Sequence, residues 1–301
     1  MTGAGRGMGA VHARSLAARG ASVIVNDLPD PAGGLNPADE VVAGIVATGG
    51  SAIANLDSVA SEAGAQAMVA AALDAFGRID IVVNNAGIVD PKPFLDETLA
   101  GFMRHLSVHL GGAFNVTKAA WPHMMAQDFG RVVMITSSAI FGIADNLSYS
   151  AAKAGQLGLM RSLVVVAGDH DITINAVAPL APSGRNATYT SNKPSAEQVS
   201  PVVLYLAHDA CAVSGEVFGT GGGRTDRIFL GATGGWVDEG LTPESMSAHL
   251  DCITGEGGYW LPSSCQEHAE QLWAGGAAHL VFHAPDPTEQ SSSAATEQRC
   301  S

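Results

Sequence analysis

The chain opens with MTGAGRGMGAVHARSLAARGASVIVND, residues 1–27. Its glycine-rich run at 2–9 leads directly into an Ala-rich stretch of helical period, and the β-branched run Ser22–Asn26 follows. Backbone N–H groups at the start of such a helix, with the positive end of its dipole, can hold a phosphate group. Glycines let that group approach the backbone closely. The stretch therefore predicts a phosphate-binding loop, and a flexible glycine-rich terminus is the alternative.

The acidic residue after this β-branched run indicates which nucleotide the loop binds. Asp27 follows Gly9 by 18 residues, where a carboxylate can accept both ribose hydroxyls of NAD and repel the 2′-phosphate of NADP. A simple turn aspartate before Pro29 is the alternative. Arg6 can bind a 2′-phosphate, so the sequence predicts NAD without excluding NADP. The loop residues that we expect to contact the cofactor are Gly3, Arg6, Gly7, Met8 and Gly9.

Short β-branched runs alternate with longer apolar-periodic stretches along most of the chain. This alternation is typical of βαβ units around a parallel sheet with helices on both faces. The predicted fold class is α/β, a Rossmann-type doubly wound parallel sheet in a single domain. The predicted strands are Ser22–Asn26, Ser51–Leu56, Ile79–Asn84, Arg131–Thr136, Ile172–Val177 and Glu216–Gly219. The predicted helices span 8–19, 38–48, 61–76, 97–127, 148–167, 196–208 and 243–252.

Composition sets the domain organisation and the class of partner. We expect a dinucleotide-binding catalytic domain at 1–225, an extension at 226–285 that packs on it, and a disordered polar tail at 286–301. The net charge of −14 opposes binding to nucleic acid and to anionic membranes, which favours a small-molecule partner. The four cysteines have no C-x-x-C spacing, and the chain has no signal peptide. These features predict a cytoplasmic protein with reduced cysteines and no metal site.

Polar and small residues follow two further predicted strands. Asp57, with Ser58 beside it, comes after the second strand, where its carboxylate can bind an adenine amino group or cap the next helix. Asn85, Ala86 and Gly87 follow the third strand, at the edge of the sheet where ligands of open α/β folds bind. Small residues there let a cofactor ribose pack against the backbone, and an ordinary turn is the alternative.

A tyrosine and a lysine at the start of a predicted helix have the spacing needed for proton transfer. Tyr149 and Lys153 are four residues apart, so they lie on one helix face. A nearby ammonium favours the phenolate form of a tyrosine, whose ordinary pKa is about 10. A surface pair on any helix has the same spacing. Ahead of the pair, a strand ends in Thr136, Ser137 and Ser138, whose hydroxyls can hold a substrate oxygen.

These motifs occur in an order and spacing that resemble the short-chain dehydrogenase/reductase family over about residues 1–225. Within that family, three stretches are similar to the (3R)-hydroxyacyl-CoA dehydrogenase domain of multifunctional β-oxidation enzymes and to related bacterial oxidoreductases. The stretches are VIVNDLPD at 23–30, SVHLGGAFNVTKAAWPHM at 107–124 and LSYSAAKAGQLGLM at 147–160.

The resemblance implies a role for each residue of the catalytic motif. Tyr149 would act as the acid/base, Lys153 would lower its pKa and bind the nicotinamide ribose, and a serine would steady the substrate oxygen. Ser137 matches the family's serine when counted from the start of its strand, yet it lies 12 residues before Tyr149, where the family usually has 13. Ser138 and Thr136 therefore stay open.

The resemblance also points to two residues outside that motif. His109 stands where the family usually has asparagine, and it can relay protons through water or simply pack inside the helix. Leu180 replaces the glycine of the family's Pro-Gly, and we expect Ser183, just beyond it, to bind the cofactor. The segment 184–197 that should cap the substrate is short and polar, which suggests an open pocket.

One strand of the family's fold is apparently missing. The family's glycine loop follows an apolar strand at the centre of the sheet, and here only Met1 precedes Thr2. Without that strand, its neighbours are left with unpaired backbone groups and uncovered apolar surface. We therefore expect the true chain to start upstream. In a chain that starts at Met1, we expect the loop to lose its anchor, stability to fall and the cofactor to bind weakly.

The function that these motifs imply is oxidation and reduction of a hydrophobic secondary alcohol and its ketone with NAD. A 3-hydroxyacyl thioester and a steroid-like molecule fit equally well. The alternative is a non-catalytic dinucleotide-binding or scaffold protein of the same fold, which the missing strand, the altered serine spacing and Leu180 favour. The resemblance further implies a homodimer or homotetramer, formed through the apolar faces of helices 97–127 and 148–167.

Overall fold

In the computed structural model, the alternating runs of the sequence form strands and helices. These elements fall into two units, Met1–Ile228 and Phe229–Ser301. The structure describes residues 1–30, 33–180, 195–238, 240–255 and 258–273. The strands of the first unit are β1 (Ser22–Asn26), β2 (Ser51–Asn55), β3 (Ile81–Asn84), β4 (Gly130–Ile135), β5 (Ile172–Pro179), β6 (Val217–Gly221) and β7 (Arg224–Ile228). Its helices are α1 (Gly7–Ala17), α2 (Pro37–Ala47), α3 (Glu62–Phe76), α4 (Leu99–Leu106), α5 (Gly112–Gln127), α6 (Leu147–Ala167) and α7 (Ala196–Leu206).

The strands of the first unit form a five-stranded, mostly parallel sheet and a two-stranded parallel sheet, with an apolar core on each face. Successive residues of a strand point to opposite faces, so Val132 packs with α3, α5 and α6 while its neighbour Val133 packs with α1, α2 and α7. Strands β3, β4, β5 and β6 are parallel neighbours in that order, and β1 pairs in parallel with β2. The predicted doubly wound α/β fold is confirmed. Among the described residues, no helix is long and apolar enough to cross a membrane.

The edge strand β7 was not predicted from the sequence. It pairs antiparallel to β6, and four of its five residues are exposed. Its sequence, RTDRI, has no apolar run because an exposed edge strand buries little. The sheet is therefore not purely parallel.

The predicted strand gap lies between β1 and β3. Among the described residues, no strand occupies this position, and β1 with β2 forms a sheet separate from the other five strands. Met1 and Thr2 bridge the gap at its carboxyl end. Asn26 N–H donates to the Met1 carbonyl at 3.0 Å, and Thr2 N–H donates to the Val83 carbonyl at 3.1 Å. Behind them lies a cavity of about 360 Å³, lined largely by apolar side chains of α1, β1, α3 and β3.

The long helix predicted at 97–127 is interrupted. It consists of α4, a π-helical turn at Ser107–Gly111 and α5, and a short 3₁₀ turn, Phe94–Asp96, precedes it. A single π-helical turn is short, and its residues Ser107–Gly111 contain no proline that would reveal it in the sequence. Such turns occur frequently at functional sites.

The second unit also differs in part from the sequence prediction. The helix expected at 243–252 is split at His249 into α8 (Pro243–Ala248) and α9 (Leu250–Thr254). Cys252 is disulfide-bonded, whereas Cys211 and Cys265 are free, so the expectation of reduced cysteines is wrong for one of the three described cysteines. The predicted tail at 286–301 lies outside the described residues. The remaining elements of this unit are β8 (Ala232–Thr233), β9 (Tyr259–Trp260) and α10 (Cys265–Trp273).

We expect a segment of about eight apolar, β-branched residues, joined ahead of Met1, to raise the melting temperature markedly. Such a strand would fill the cavity and pair with β1 and β3, and each large apolar residue that it buries contributes about 1.5–3 kcal/mol. It would also convert the Met1 amino group, whose pKa burial lowers to about 5, into an uncharged amide. Thermal melts of the 301-residue chain and the extended chain measure the effect. A Gly/Ser extension of equal length is the control, and equal melting of both extended chains would contradict the role of the gap.

Candidate functional site

The glycine-rich loop is fixed to the turn that follows β3. The Thr2 hydroxyl oxygen accepts hydrogen bonds from the backbone N–H groups of Asn85 and Ala86, both at 3.0 Å. In return, the Asn85 side-chain amide donates to the carbonyl groups of Thr2 at 3.0 Å and Gly3 at 2.8 Å. The expectation that the loop has no anchor without the missing strand is therefore wrong. Weak cofactor binding stays a prediction.

The loop places the amino terminus of α1 at the carboxyl edge of the sheet. Helix α1 begins at Gly7, and Met8 is its second residue. Its N-cap residue, Arg6, makes no capping side-chain hydrogen bond within the described residues. A Cβ atom at Gly9 would overlap the Gly3 carbonyl, so the loop can pack this tightly only with glycine there. The first-turn N–H groups lack intrahelical partners. A phosphate group fits this position.

Asp27 and Arg6, the two residues proposed to read the ribose, lie side by side. The Asp27 carboxylate accepts hydrogen bonds from the N–H groups of Gly5 and Leu28, each at 2.9 Å. The Arg6 guanidinium lies 3.6 Å from the same carboxylate. Arg6 is more exposed than Asp27, with 53% of its side-chain surface accessible against 14%. The hydrogen bond from Leu28 is a turn contact, whereas the one from Gly5 comes from the glycine-rich loop. Asp27 therefore binds both the turn after β1 and the loop.

Asp57 is oriented by asparagine side chains and does not cap a helix. The Asn55 amide donates to its carboxylate at 2.7 Å, and the buried Asn26 amide donates to its carbonyl at 2.8 Å. The N-cap of α3 is Ser61, whose hydroxyl accepts from a first-turn N–H at 3.2 Å. The capping alternative for Asp57 is therefore wrong. Asn55 was missed in the sequence, although an asparagine two residues before an aspartate is a turn signal.

Ser137 is the hydroxyl that reaches the tyrosine. Tyr149 and Lys153 lie on one face of α6, and the Ser137 side chain hydrogen-bonds Tyr149. The Thr136 hydroxyl donates to the Lys153 carbonyl at 2.9 Å, so it is occupied by backbone. Ser138 is exposed and begins a 3₁₀ turn. The structure thus brings Ser137, Tyr149 and Lys153 together despite the shortened spacing.

Burial controls the protonation of the tyrosine and the lysine. It raises the pKa of Tyr149 above its ordinary value, and the hydrogen bond from Ser137 opposes this rise only in part. Burial also lowers the pKa of Lys153 to about 7. The Lys153 ammonium donates to the Ile135 carbonyl and lies 5.6 Å from the centre of the Tyr149 ring. In the chain itself the tyrosine is therefore a neutral phenol at pH 7, and the lysine is poised to exchange a proton.

His109 packs between Tyr149 and the turn after β3. Its Nε2 atom lies 2.8 Å from the Ile88 carbonyl oxygen, and its ring meets the Tyr149 ring edge-on at 5.1 Å. A Cβ atom at Gly87 would overlap the imidazole, so Gly87 provides the space that this ring fills. Burial lowers the pKa of His109 to about 3, so the ring is uncharged at pH 7.

The remaining predicted positions lie at the carboxyl end of β5 and after β2. Leu180 follows β5 and is 43% exposed, with its N–H donating to the Thr220 carbonyl at 2.8 Å. Ser183 lies outside the described residues. The Ser58 hydroxyl accepts from the Ala60 N–H at 3.3 Å, which places it in the turn before α3.

Comparison with known proteins gives one consistent answer. The family model described as short chain dehydrogenase matches residues 1–193. The chain is 40% identical over 264 residues to a short-chain type dehydrogenase/reductase of Mycobacterium tuberculosis, covering 84% of this chain and 92% of that protein. It is also 40% identical over 282 residues to peroxisomal multifunctional enzyme type 2 of Mus musculus, covering 89% of this chain and 38% of that enzyme.

A solved structure supports the same assignment. The crystal structure of a short chain dehydrogenase from Mycobacterium avium superposes with a TM-score of 0.74 at 33% identity, covering 84% of this chain and 93% of that chain. The fold agrees with this family. The chain therefore belongs to the short-chain dehydrogenase/reductase family and is an oxidoreductase that uses a nicotinamide dinucleotide.

Proposed function

We propose that this oxidoreductase interconverts a hydrophobic secondary alcohol and its ketone, with Tyr149 as the acid/base. The observation that carries the proposal is the cluster of Ser137, Tyr149 and Lys153 at the carboxyl end of β4. The nicotinamide dinucleotide supplies or accepts the hydride when bound. The Ser137 hydroxyl holds the substrate oxygen, and the Tyr149 phenol gives or takes the hydroxyl proton.

The buried lysine supports the tyrosine. Because its pKa is about 7, Lys153 can lose and regain a proton near neutral pH. In its charged form it favours the phenolate of Tyr149, which offsets part of the cost of burying that charge. His109 packs against Tyr149, because its ring meets the phenol ring edge-on at 5.1 Å. Its role as a proton relay stays a prediction.

The residues proposed to hold the cofactor line the carboxyl edge of the sheet. The N–H groups at Gly7, Met8 and Gly9 suit the pyrophosphate, and Asp27 suits the adenosine ribose, which favours NAD. Arg6 beside Asp27 keeps NADP possible. The other proposed contacts are Gly3, Asp57, Ser58, Asn85, Ala86, Gly87, Tyr149, Lys153 and Ser183.

Apolar side chains near the catalytic residues favour a hydrophobic substrate. Phe141 follows Ser137 by four residues and is 73% exposed, and Ile143 is 47% exposed. Leu147, two residues before Tyr149, is 39% exposed. Large exposed apolar groups beside polar chemistry are typical of binding surfaces. A 3-hydroxyacyl thioester, which the resemblance to multifunctional enzymes favours, and a steroid-like alcohol both fit.

Replacing Tyr149 with phenylalanine should lower kcat by about 10²–10⁴, because the ring stays and the transferable proton is lost. NAD binding should remain. Turnover of a panel of secondary alcohols, including a 3-hydroxyacyl thioester, measures the effect. In the same assay, Ser137→Ala should lower activity far more than Ser138→Ala does. Tyr205→Phe, at a half-exposed position on α7, is the control. Near-normal activity of Tyr149→Phe would refute the assignment, whereas NAD binding without turnover by the unmodified chain would favour a non-catalytic protein.

Removing the charge of Asp27 should narrow the preference for NAD over NADP. The Asp27→Asn variant loses the charged acceptor for the ribose hydroxyls and the repulsion of a 2′-phosphate, so we expect NAD to bind about tenfold more weakly. Titrations with the reduced cofactors NADH and NADPH, followed by dihydronicotinamide fluorescence, give the two dissociation constants. Asp74→Asn, on the exposed face of α3, changes the net charge equally and should leave the ratio unchanged. An unchanged ratio in Asp27→Asn would mean that Asp27 is only a turn residue.

We further propose that the chain forms a homo-oligomer through α5 and α6. A shallow cavity of about 300 Å³ on this face is lined by Phe114, Trp121, Leu159, Leu163 and Val166, and its surface is almost entirely apolar. A second copy would cover these groups.

The charged substitution Val166→Glu should therefore shift the mass in light scattering to that of a monomer. Val166 is 61% exposed, so the folded chain tolerates the change. Val46→Glu, at a 54% exposed site on α2, is the matched control and should keep the oligomer. A monomeric unmodified chain would overturn the proposal.

A further inference from the structure

Gln156 is a buried amide that no step proposed so far uses. It lies on α6, three residues after Lys153, and only 1% of its surface is exposed. Its side-chain Nε2 donates a hydrogen bond to the His109 carbonyl at 3.0 Å. Burying an amide is costly unless its hydrogen bonds are made. This contact pairs the Gln156 amide nitrogen with the backbone of His109, while its Oε1 atom has no partner among the described residues.

The carbonyl that Gln156 binds belongs to the π-helical turn Ser107–Gly111. In such a turn the backbone bonds run from residue i to i−5 in place of i−4, so the turn loses the regular ladder of the helices on either side. A side-chain donor from α6 can stabilise a carbonyl in this irregular region. The π-helical turn is thus tied to the helix that carries Tyr149 and Lys153.

The geometry of the turn sets the position of the His109 ring. The ring fills the space at Gly87, contacts the Ile88 carbonyl and meets Tyr149 edge-on at 5.1 Å. A return to the regular α-helical spacing would rotate His109 relative to its present direction, because each residue turns the helix by about 100°. The ring would then leave the edge of Tyr149.

We propose that Gln156 is a positioning residue. Through the His109 carbonyl it holds the π-helical turn, and through the turn it holds the imidazole against Tyr149. This proposal rests on the proposed role of Tyr149 as acid/base. A leucine at position 156 would fill a similar volume without donating a hydrogen bond.

A double-mutant cycle tests the connection. Gln156→Leu should lower kcat about tenfold and change KM for NAD less than twofold, because the ring that supports Tyr149 is displaced. In a His109→Ala background the same substitution should change kcat less than twofold, since the ring is already absent. If the double variant loses kcat by the product of the two single losses, Gln156 does not act through His109. That outcome would overturn the proposal.

Gln127 provides a matched control for the loss of an amide. Its Nε2 donates to the carbonyl groups of Ile79 and Phe129, each at 2.8 Å, near the opposite edge of the sheet. Gln127→Leu should lower the melting temperature as Gln156→Leu does, but it should leave kcat unchanged. If kcat falls in both variants in proportion to the fall in melting temperature, the role of Gln156 is only structural.

A measurement without turnover separates this proposal from the proposed function. The imidazole ¹H–¹⁵N signals of His109, assigned by their absence in His109→Ala, should shift in Gln156→Leu and stay in place in Gln127→Leu. Unchanged His109 signals in Gln156→Leu would overturn the positioning role. If the unmodified chain oxidises no secondary alcohol, the proposed function fails, and the imidazole signals still decide the role of Gln156.

Discussion

The two sheets are joined at their carboxyl edge by hydrogen bonds of Met1 and Thr2, and Thr2 contributes its side chain as well. Its hydroxyl accepts hydrogen bonds from two N–H groups after β3, and its backbone joins the glycine loop beside β1. Asn85 completes the connection by binding the carbonyl groups of Thr2 and Gly3. Because buried polar groups need such partners, these bonds fix the phosphate-binding loop relative to Ser137 and Tyr149. The position of every proposed catalytic group relative to the cofactor loop depends on them.

Most of the fold can be predicted because parallel strands are buried on both faces. Runs such as Ser22–Asn26 and Ile172–Val177 consist largely of β-branched residues, and they identify the central strands. Elements that bury little leave no such pattern. Strand β7 is exposed along four of its five residues, and the π-helical turn Ser107–Gly111 is a short interruption between two helices. Both required the three-dimensional structure.

The candidate site also contains residues that the sequence predicts and residues that it does not. The spacing of Tyr149 and Lys153 is a property of one helix, so the sequence alone predicted that they share a face. The choice of Ser137 over Ser138 depends on how a loop closes onto α6, which spacing does not determine. Gln156 gives no sequence signal at all, because its partner is a backbone carbonyl 47 residues away in an irregular turn.

The gap between β1 and β3 gives the sheet a gradient of local stability along its strands. At the amino ends these strands face a cavity, so their edges can open toward solvent without first breaking an interstrand ladder. At the carboxyl ends the Thr2 and Asn85 bonds must break before anything opens. We therefore expect local opening to begin beside the cavity and not at the loop. The least protected part of the sheet and its reactive edge are separated by the length of a strand.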